Sequence, residues 1–149
     1  MKIAEALQER AALAKKIDRI SVRLNSNALV QEGEKPQEDP AMLMKELNES
    51  VAQLEKLISD INLANCKTIV NGKSLTEHIA HKDCLVKKIS VLQSLEHNSN
   101  NLARRASHSE IKIFATIDAS DLQKQIDSLS KELRLTDNLI QETNWKTEI

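Results

Sequence analysis

Two histidines and a cysteine lie close together in the stretch TEHIAHKDC, at positions 78, 81 and 84, and imidazole and thiolate groups are common zinc ligands. On a helix that turns by about 100° per residue, His78 and Cys84 lie about 120° apart, too far to share one ion. His78 and His81 lie about 60° apart, which is close enough. The HEXXH spacing of zinc proteases and CXXC pairs are both absent. We therefore expect no metal site, and we interpret His78 as a hydrogen-bonded histidine of a core or an interface.

Other catalytic signatures are missing from the sequence. Its only glycines are Gly33 and Gly72, so it contains neither a glycine-rich phosphate loop nor a G-x-S-x-G turn. Its many acidic residues resemble those of solvated helix faces. We identify no catalytic residue and expect no cofactor, and whether the protein is an enzyme stays open.

Composition excludes several partners. The net charge is -1, and Phe114 and Trp145 are the only aromatic residues, so neither a basic surface nor a base-stacking platform for nucleic acid is expected. No apolar run approaches the length of about 20 residues that a membrane span needs. With Cys66 and Cys84 as ordinary thiols and no hydrophobic leader at the N-terminus, we expect a soluble cytoplasmic protein of one domain, residues 1–149.

Apolar residues recur every three or four positions in four segments, which predicts four amphipathic helices. The first covers residues 2–25. The second begins with Asp39 as N-cap and Pro40 in the first turn, and ends near residue 65. The third begins at a capping box of Ser74 and Glu77 and ends near residue 96, and the fourth covers about 118–144. The predicted core stripe of the second helix is Leu43, Leu47, Val51, Leu54, Ile58 and Ile61.

Two segments between the helices favour extended structure. Asn71-Gly72 is a turn dipeptide that fits either a very short hairpin or a loop, and we slightly favour the loop. Residues 110–117, EIKIFATI, alternate in polarity and predict one strand, which we expect to pair with the segment near Ile69.

The sequence matches itself in three collinear blocks, which predicts internal repeats over about 2–68 and 74–147. Residues 3–17 align with 75–89, and NSNAL at 25–29 aligns with NSNNL at 98–102. The third block aligns Asp39, Lys45, Leu54, Ile61, Asn65, Lys67 and Thr68 with Asp118, Lys124, Leu133, Ile140, Asn144, Lys146 and Thr147.

This pattern predicts an all-α fold, in which two tandem helix-loop-helix repeats pack as a pseudo-twofold four-helix assembly with a minor β element. Because helices of this length often leave apolar surface uncovered, we expect a homo-oligomer, a dimer or larger, with residual stripes and Trp145 at the contact.

The two long loops have opposite charge. Residues 31–39 are acidic, whereas 102–112 contain Arg104, Arg105 and Lys112. One hypothesis pairs the acidic loop of one subunit with the basic loop of another. A second makes Arg104, Arg105 and His108 an anion site, and a third leaves both loops solvated.

Five segments, IAEALQERAALAKKI, VQEGEKPQEDP, the stretch from Asn65 to Thr76, SEIKIFATID and IQETNWKTEI, resemble a family of small uncharacterised bacterial proteins, some labelled septicolysin. The resemblance covers essentially the whole chain. It implies a helical, oligomeric protein, but no activity. A lysin would attack membranes, and no spanning or basic amphipathic segment supports that role.

Two function classes remain from the sequence. The first is a self-assembling helical protein with a structural or interaction role and an unknown protein partner. The second is a small-ligand-binding protein or enzyme with a polar site between helix ends. The candidate residues for that site lie mostly in the segments that carry the resemblance: Asn65, Thr68, Asp83, Arg104, Arg105 and Glu110.

Overall fold

In a computed structural model, which describes residues 1–100 and 111–149, the described chain forms four long helices and one two-stranded antiparallel sheet. The prediction of a mainly helical fold with a minor β element is confirmed. The helices begin and end within a few residues of the predicted positions. The elements are α1 (Ile3–Ser26), α2 (Pro40–Lys67), β1 (Ile69–Val70), β2 (Lys73–Ser74), α3 (Leu75–Ser99) and α4 (Ala119–Lys146).

The chain folds into two compact units. The first contains Met1–Ser74 together with Thr143–Ile149, and the second contains Leu75–Glu142. The single domain and the tandem repeats stay predictions from the sequence.

In the first unit α1 and α2 pack against each other as an antiparallel pair. Arg23 near the end of α1 bonds to Glu46 near the start of α2, whereas Glu9 lies beside Asp60 near the other end of α2. Leu43 and Ile61 of the predicted α2 stripe are among the side chains excluded from water. The buried apolar residues of α1 and α2 are Ile3, Ala4, Ala6, Leu13, Ile20, Leu43 and Ile61.

The predicted core stripe of α2 is wrong at two positions. Val51 is 45% exposed and Ile58 is 38% exposed, while Ser50 is buried with 1% exposed. Ser50 lies one position before Val51 and therefore about 100° away around the helix axis. The periodic pattern considers apolar residues alone, so it predicted that Val51 is buried. The buried position is instead occupied by Ser50.

Helices α2 and α4 begin and end in the same way. The Asp39 carboxylate accepts a hydrogen bond from the backbone N–H of Ala41 at 2.9 Å, and Asp118 accepts one from Ser120 at 2.8 Å. Both helices have 28 residues. The Asp39 cap is confirmed, and the side-chain oxygen satisfies an N–H group that has no partner within the helix.

Asn71-Gly72 forms a hairpin turn, so the preference for a loop was wrong. Ile69 pairs with Ser74 and Val70 pairs with Lys73. Asn71 at φ 49° and Gly72 at φ 78° both have left-handed backbone conformations, as a type I′ turn requires.

The predicted strand over residues 110–117 is also wrong within its described part. Residues 111–117 contain no strand, and Ile69, its expected partner, pairs with Ser74 instead. A two-residue turn brings Ser74 to Ile69 at little loss of chain entropy, whereas a distant segment must close a long loop.

The two ends of the chain also pair. Lys2 and Glu148 form an antiparallel bridge, and the N–H of Ile3 donates to the carbonyl of Thr147 at 3.0 Å. The Lys2 ammonium lies 2.9 Å from the Glu148 carboxylate, and this hydrogen bond lowers the pKa of Glu148. In the predicted repeat register Lys2 aligns with Ser74 and Glu148 with Ile69, so the bridge and the β1–β2 pair join equivalent positions.

In the second unit two polar contacts connect α3 to α4. His81 Nε2 lies 2.8 Å from Glu132 Oε1, and Lys82 Nζ donates to Asp137 Oδ1 at 2.6 Å. The second bond lowers the pKa of Asp137. The buried apolar residues of these helices are Leu75, Leu85, Ile89, Leu122, Ile126 and Ile140.

Candidate functional site

Two of the predicted ligand-binding residues lie at the C-terminal end of α2. The Thr68 hydroxyl donates to the carbonyl of Ala64 at 2.8 Å, and its backbone N–H donates to the same carbonyl at 2.9 Å. Asn65 is half-buried, and its Oδ1 atom is buried without a hydrogen-bond partner. Thr68 thus bonds to the last turn of α2, whereas the Asn65 oxygen has no hydrogen-bond partner among the described residues.

The other predicted site residues lie in the second unit or outside the described residues. Asp83 is exposed on α3, which belongs to the second unit. Arg104, Arg105 and Glu110, together with His108 of the proposed anion site, lie outside the described residues. The ligand site therefore stays a prediction.

Thr68 also contributes to a shallow cavity of about 540 Å³ in the first unit. Lys56, Asp60 and Glu148 lie around it. Lys56 donates to Asp60 at 2.8 Å, and this hydrogen bond raises the pKa of Lys56. The cavity thus combines charges of both signs, and two of them already form an ion pair.

The histidines and cysteines of the sequence do not form a metal cluster in the described structure. His81 is exposed and contacts Glu132, a neighbour that sequence spacing did not reveal. Cys66 and Cys84 are exposed, and neither forms a disulfide within the described residues. No group of three or more His, Cys, Asp or Glu side chains in residues 1–100 and 111–149 has the arrangement of a metal site.

A second cavity of about 430 Å³ lies where the acidic loop joins α2. There the Arg23 guanidinium bonds to the Glu38 carboxylate through Nε at 3.0 Å and to Glu46 through Nη1 at 3.2 Å. The hydrogen bond to Arg23 lowers the pKa of Glu38, and the same bond raises the pKa of Arg23. The Asn27 side chain accepts from the Glu38 N–H at 3.0 Å. These contacts hold the loop against α1, so Glu38 acts within its own chain.

A row of partly exposed apolar side chains lies on α2. Met44, Val51 and Ile58 follow one another at intervals of seven residues, and 47%, 45% and 38% of their surfaces are exposed. We call this row the α2 stripe. Successive members lie about 20° apart around the axis, so the three side chains form one line along the helix.

The surroundings of the α2 stripe carry little charge. Small or neutral exposed residues flank it, and Glu55 and Lys45 are the charged ones nearby. The neutral or small neighbours are Asn48, Ala52, Ser59 and Asn62. A line of apolar side chains within a weakly charged face is typical of a helix contact. Trp145 is also exposed, at 54%.

The described elements define a small, mainly helical protein. Residues 10–149 match a family of unknown function (DUF6847), and the chain belongs to that family. The crystal structure of a functionally unknown conserved protein from Corynebacterium diphtheriae is similar over 100% of this chain and 98% of that one, at 35% identity and a TM-score of 0.90. No curated protein gives a significant match.

These similarities confirm that the protein belongs to an uncharacterised family. The septicolysin label has no support from either description. Within the described residues, no helix has the length and apolar character to cross a membrane.

Proposed function

We propose that the protein is a self-assembling helical protein of the cytoplasm with a structural or interaction role. The α2 stripe is the observation that carries the proposal. Its three side chains are each more than a third exposed although they lie in line on a 28-residue helix. Removing such a line from water is favourable and needs no further folding of the chain.

The polar residues support the same interpretation. The described ion pairs connect neighbouring parts of one chain, as in Arg23 with Glu38, His81 with Glu132 and Lys82 with Asp137. They hold helices and a loop in place. A scaffold uses charged side chains in this way.

Native mass spectrometry over a series of protein concentrations tests the proposal. We expect a symmetric oligomer whose fraction rises with concentration. A monomer at every concentration up to the high micromolar range would contradict self-assembly.

A small-ligand site at the end of α2 is the second candidate function. It is supported by the unpaired Asn65 oxygen and by the cavity beside Thr68. A retained small molecule in the same native mass spectra would favour it, provided that Asn65→Leu abolishes the adduct and Asn138→Leu, at an exposed position of α4, does not. Spectra of the protein mass alone would count against this function.

A further inference from the structure

The α2 stripe differs from the equivalent face of α4. In the predicted repeat register Met44 aligns with Gln123, Val51 with Ser130 and Ile58 with Asp137. The buried positions agree between the two helices, since Leu43 and Leu122 are both buried, as are Ile61 and Ile140. In α4 the positions of Met44 and Val51 hold the exposed polar residues Gln123 and Ser130, whereas Asp137, at the position of Ile58, bonds to Lys82 of α3. Met44 and Val51 are therefore apolar where the equivalent helix exposes polar side chains to water.

The spacing of the stripe is symmetric about its central residue. Met44 precedes Val51 by seven residues, and Ile58 follows it by seven. A twofold axis that passes through Val51 perpendicular to α2 would therefore place Val51 against the partner's Val51, and Met44 against the partner's Ile58. An interval of seven residues is the one that keeps two packed helices in contact along a seam.

We infer that a second copy of this chain docks antiparallel on the α2 stripe, with the twofold axis at Val51. This inference rests on the proposed function and specifies its partner, its residues and its geometry.

The polar neighbours of the stripe complement one another in this arrangement. Asn48 lies three residues before Val51 and Glu55 lies four residues after it, and both are exposed. The antiparallel pairing brings the Asn48 amide, a donor, beside the partner's Glu55, an acceptor, and it does so twice by symmetry.

The size of the surface sets the strength that we expect. From Met44 to Ile58 the stripe is about 21 Å long at 1.5 Å per residue. Three apolar layers are fewer than in a stable interface, which buries about 800 Å² per partner. The dimer should therefore dissociate on dilution within the micromolar range.

A cysteine cross-link tests the geometry directly. In a Cys66→Ser, Cys84→Ser background, Val51→Cys places a thiol at the proposed axis, and Glu49→Cys places one about 160° away around α2. Under mild oxidation we expect Val51→Cys to form a disulfide-linked dimer, whereas Glu49→Cys stays monomeric on a non-reducing gel. Equal cross-linking of the two variants, or none of Val51→Cys, would overturn the inference.

A charge substitution with a matched control tests the affinity. Val51→Asp should weaken the dimer at least about tenfold, because a carboxylate would be desolvated against its own copy. Ser130→Asp makes a similar change at the equivalent position of α4 and should leave the dissociation constant unchanged. Circular dichroism confirms that both variants keep their helical content, as expected at exposed positions. A Val51→Asp dimer of wild-type strength would overturn the inference.

The outcomes separate this inference from the proposed function. If the wild-type chain forms a dimer but Val51→Cys fails to cross-link, assembly stands and the α2 geometry is wrong. If the wild-type chain is monomeric at every concentration, the proposed function and this inference both fail. They also fail if the chain is monomeric and a different protein binds the α2 stripe.

Discussion

Replacing Ser50 by alanine should stabilise the protein. Ser50 is 1% exposed in the middle of α2, and its buried hydroxyl oxygen has no hydrogen-bond partner in the described part of the chain. The unfolded chain satisfies this hydroxyl with water, so folding removes those bonds and returns none. Alanine has no hydroxyl to desolvate and has a higher helix propensity. The predicted repeat places Leu129 at the equivalent position of α4, where an apolar residue is accommodated.

The size of the effect follows from two contributions. A buried hydroxyl that loses its water without gaining a partner is unfavourable by about 1–3 kcal/mol. The higher helix propensity of alanine adds about 0.5 kcal/mol. Loss of the packing contacts of the oxygen opposes both contributions, and we expect a net increase in the free energy of unfolding of about 1–2 kcal/mol. For a chain of this size each kcal/mol raises Tm by about 2–4 °C.

Urea unfolding followed by circular dichroism measures the free energy, and calorimetry measures Tm. Ser21→Ala provides the control, because Ser21 is exposed on α1 in the same unit and its substitution changes only helix propensity. Ser50→Ala should exceed Ser21→Ala in stability by at least about 0.5 kcal/mol. A Ser50→Ala variant that is no more stable than Ser21→Ala would refute the argument that the hydroxyl is an unpaired buried group.

Three further substitutions test other parts of the structure. Ile61→Ala should lower the free energy of unfolding by about 2–5 kcal/mol because Ile61 is 1% exposed. Ile58→Ala should lower it by less than about 1 kcal/mol in dilute protein. Similar losses for the two variants in urea unfolding would contradict the assigned faces of α2. The hydrogen bond to Arg23 lowers the pKa of Glu38 from 4.5, so ionised Glu38 stabilises the fold above that pH and loses this effect as the pH falls through its lowered folded-state pKa. Glu38→Gln should therefore lower Tm at pH 7, and calorimetry should show the difference from wild type shrinking at acid pH; a constant difference would exclude the ion pair as its cause. Gly72→Ala should lower the free energy of unfolding by about 1 kcal/mol, because φ is 78° and nothing lies within 4 Å of the added Cβ atom. Gly72→Asn should lower this free energy by less, because asparagine adopts the left-handed conformation more readily than alanine. Equal losses for the two variants in urea unfolding would argue against the left-handed turn.

Local sequence was sufficient to predict the helices and some of their ends. The Asp39 cap and the proline that follows it act through neighbouring backbone groups, so their effect is visible within a few residues. The Asn71-Gly72 turn was ambiguous because the dipeptide fits both a hairpin and a loop. Pairing of the residues on either side decided between them.

The candidate site was harder to predict, since it depends on which residues meet across the fold. The contact of His81 with Glu132 joins two helices and leaves no trace in local spacing. The same holds for the contact of Arg23 with Glu38. Glu38 belongs to the acidic loop, which one of the three hypotheses paired with another subunit.

The sequence by itself determined the helical class, the approximate length of each helix and the apolar character of one side of each, because these follow from interactions over three or four residues. Only the tertiary structure decided which part of the apolar side of α2 is covered. It buried Ser50 and left Val51 exposed, because α1 packs on a face of defined width and direction. A periodic pattern specifies that a helix has an apolar side. Which residues of that side are buried depends on which of them the neighbouring helix contacts and which remain exposed to water.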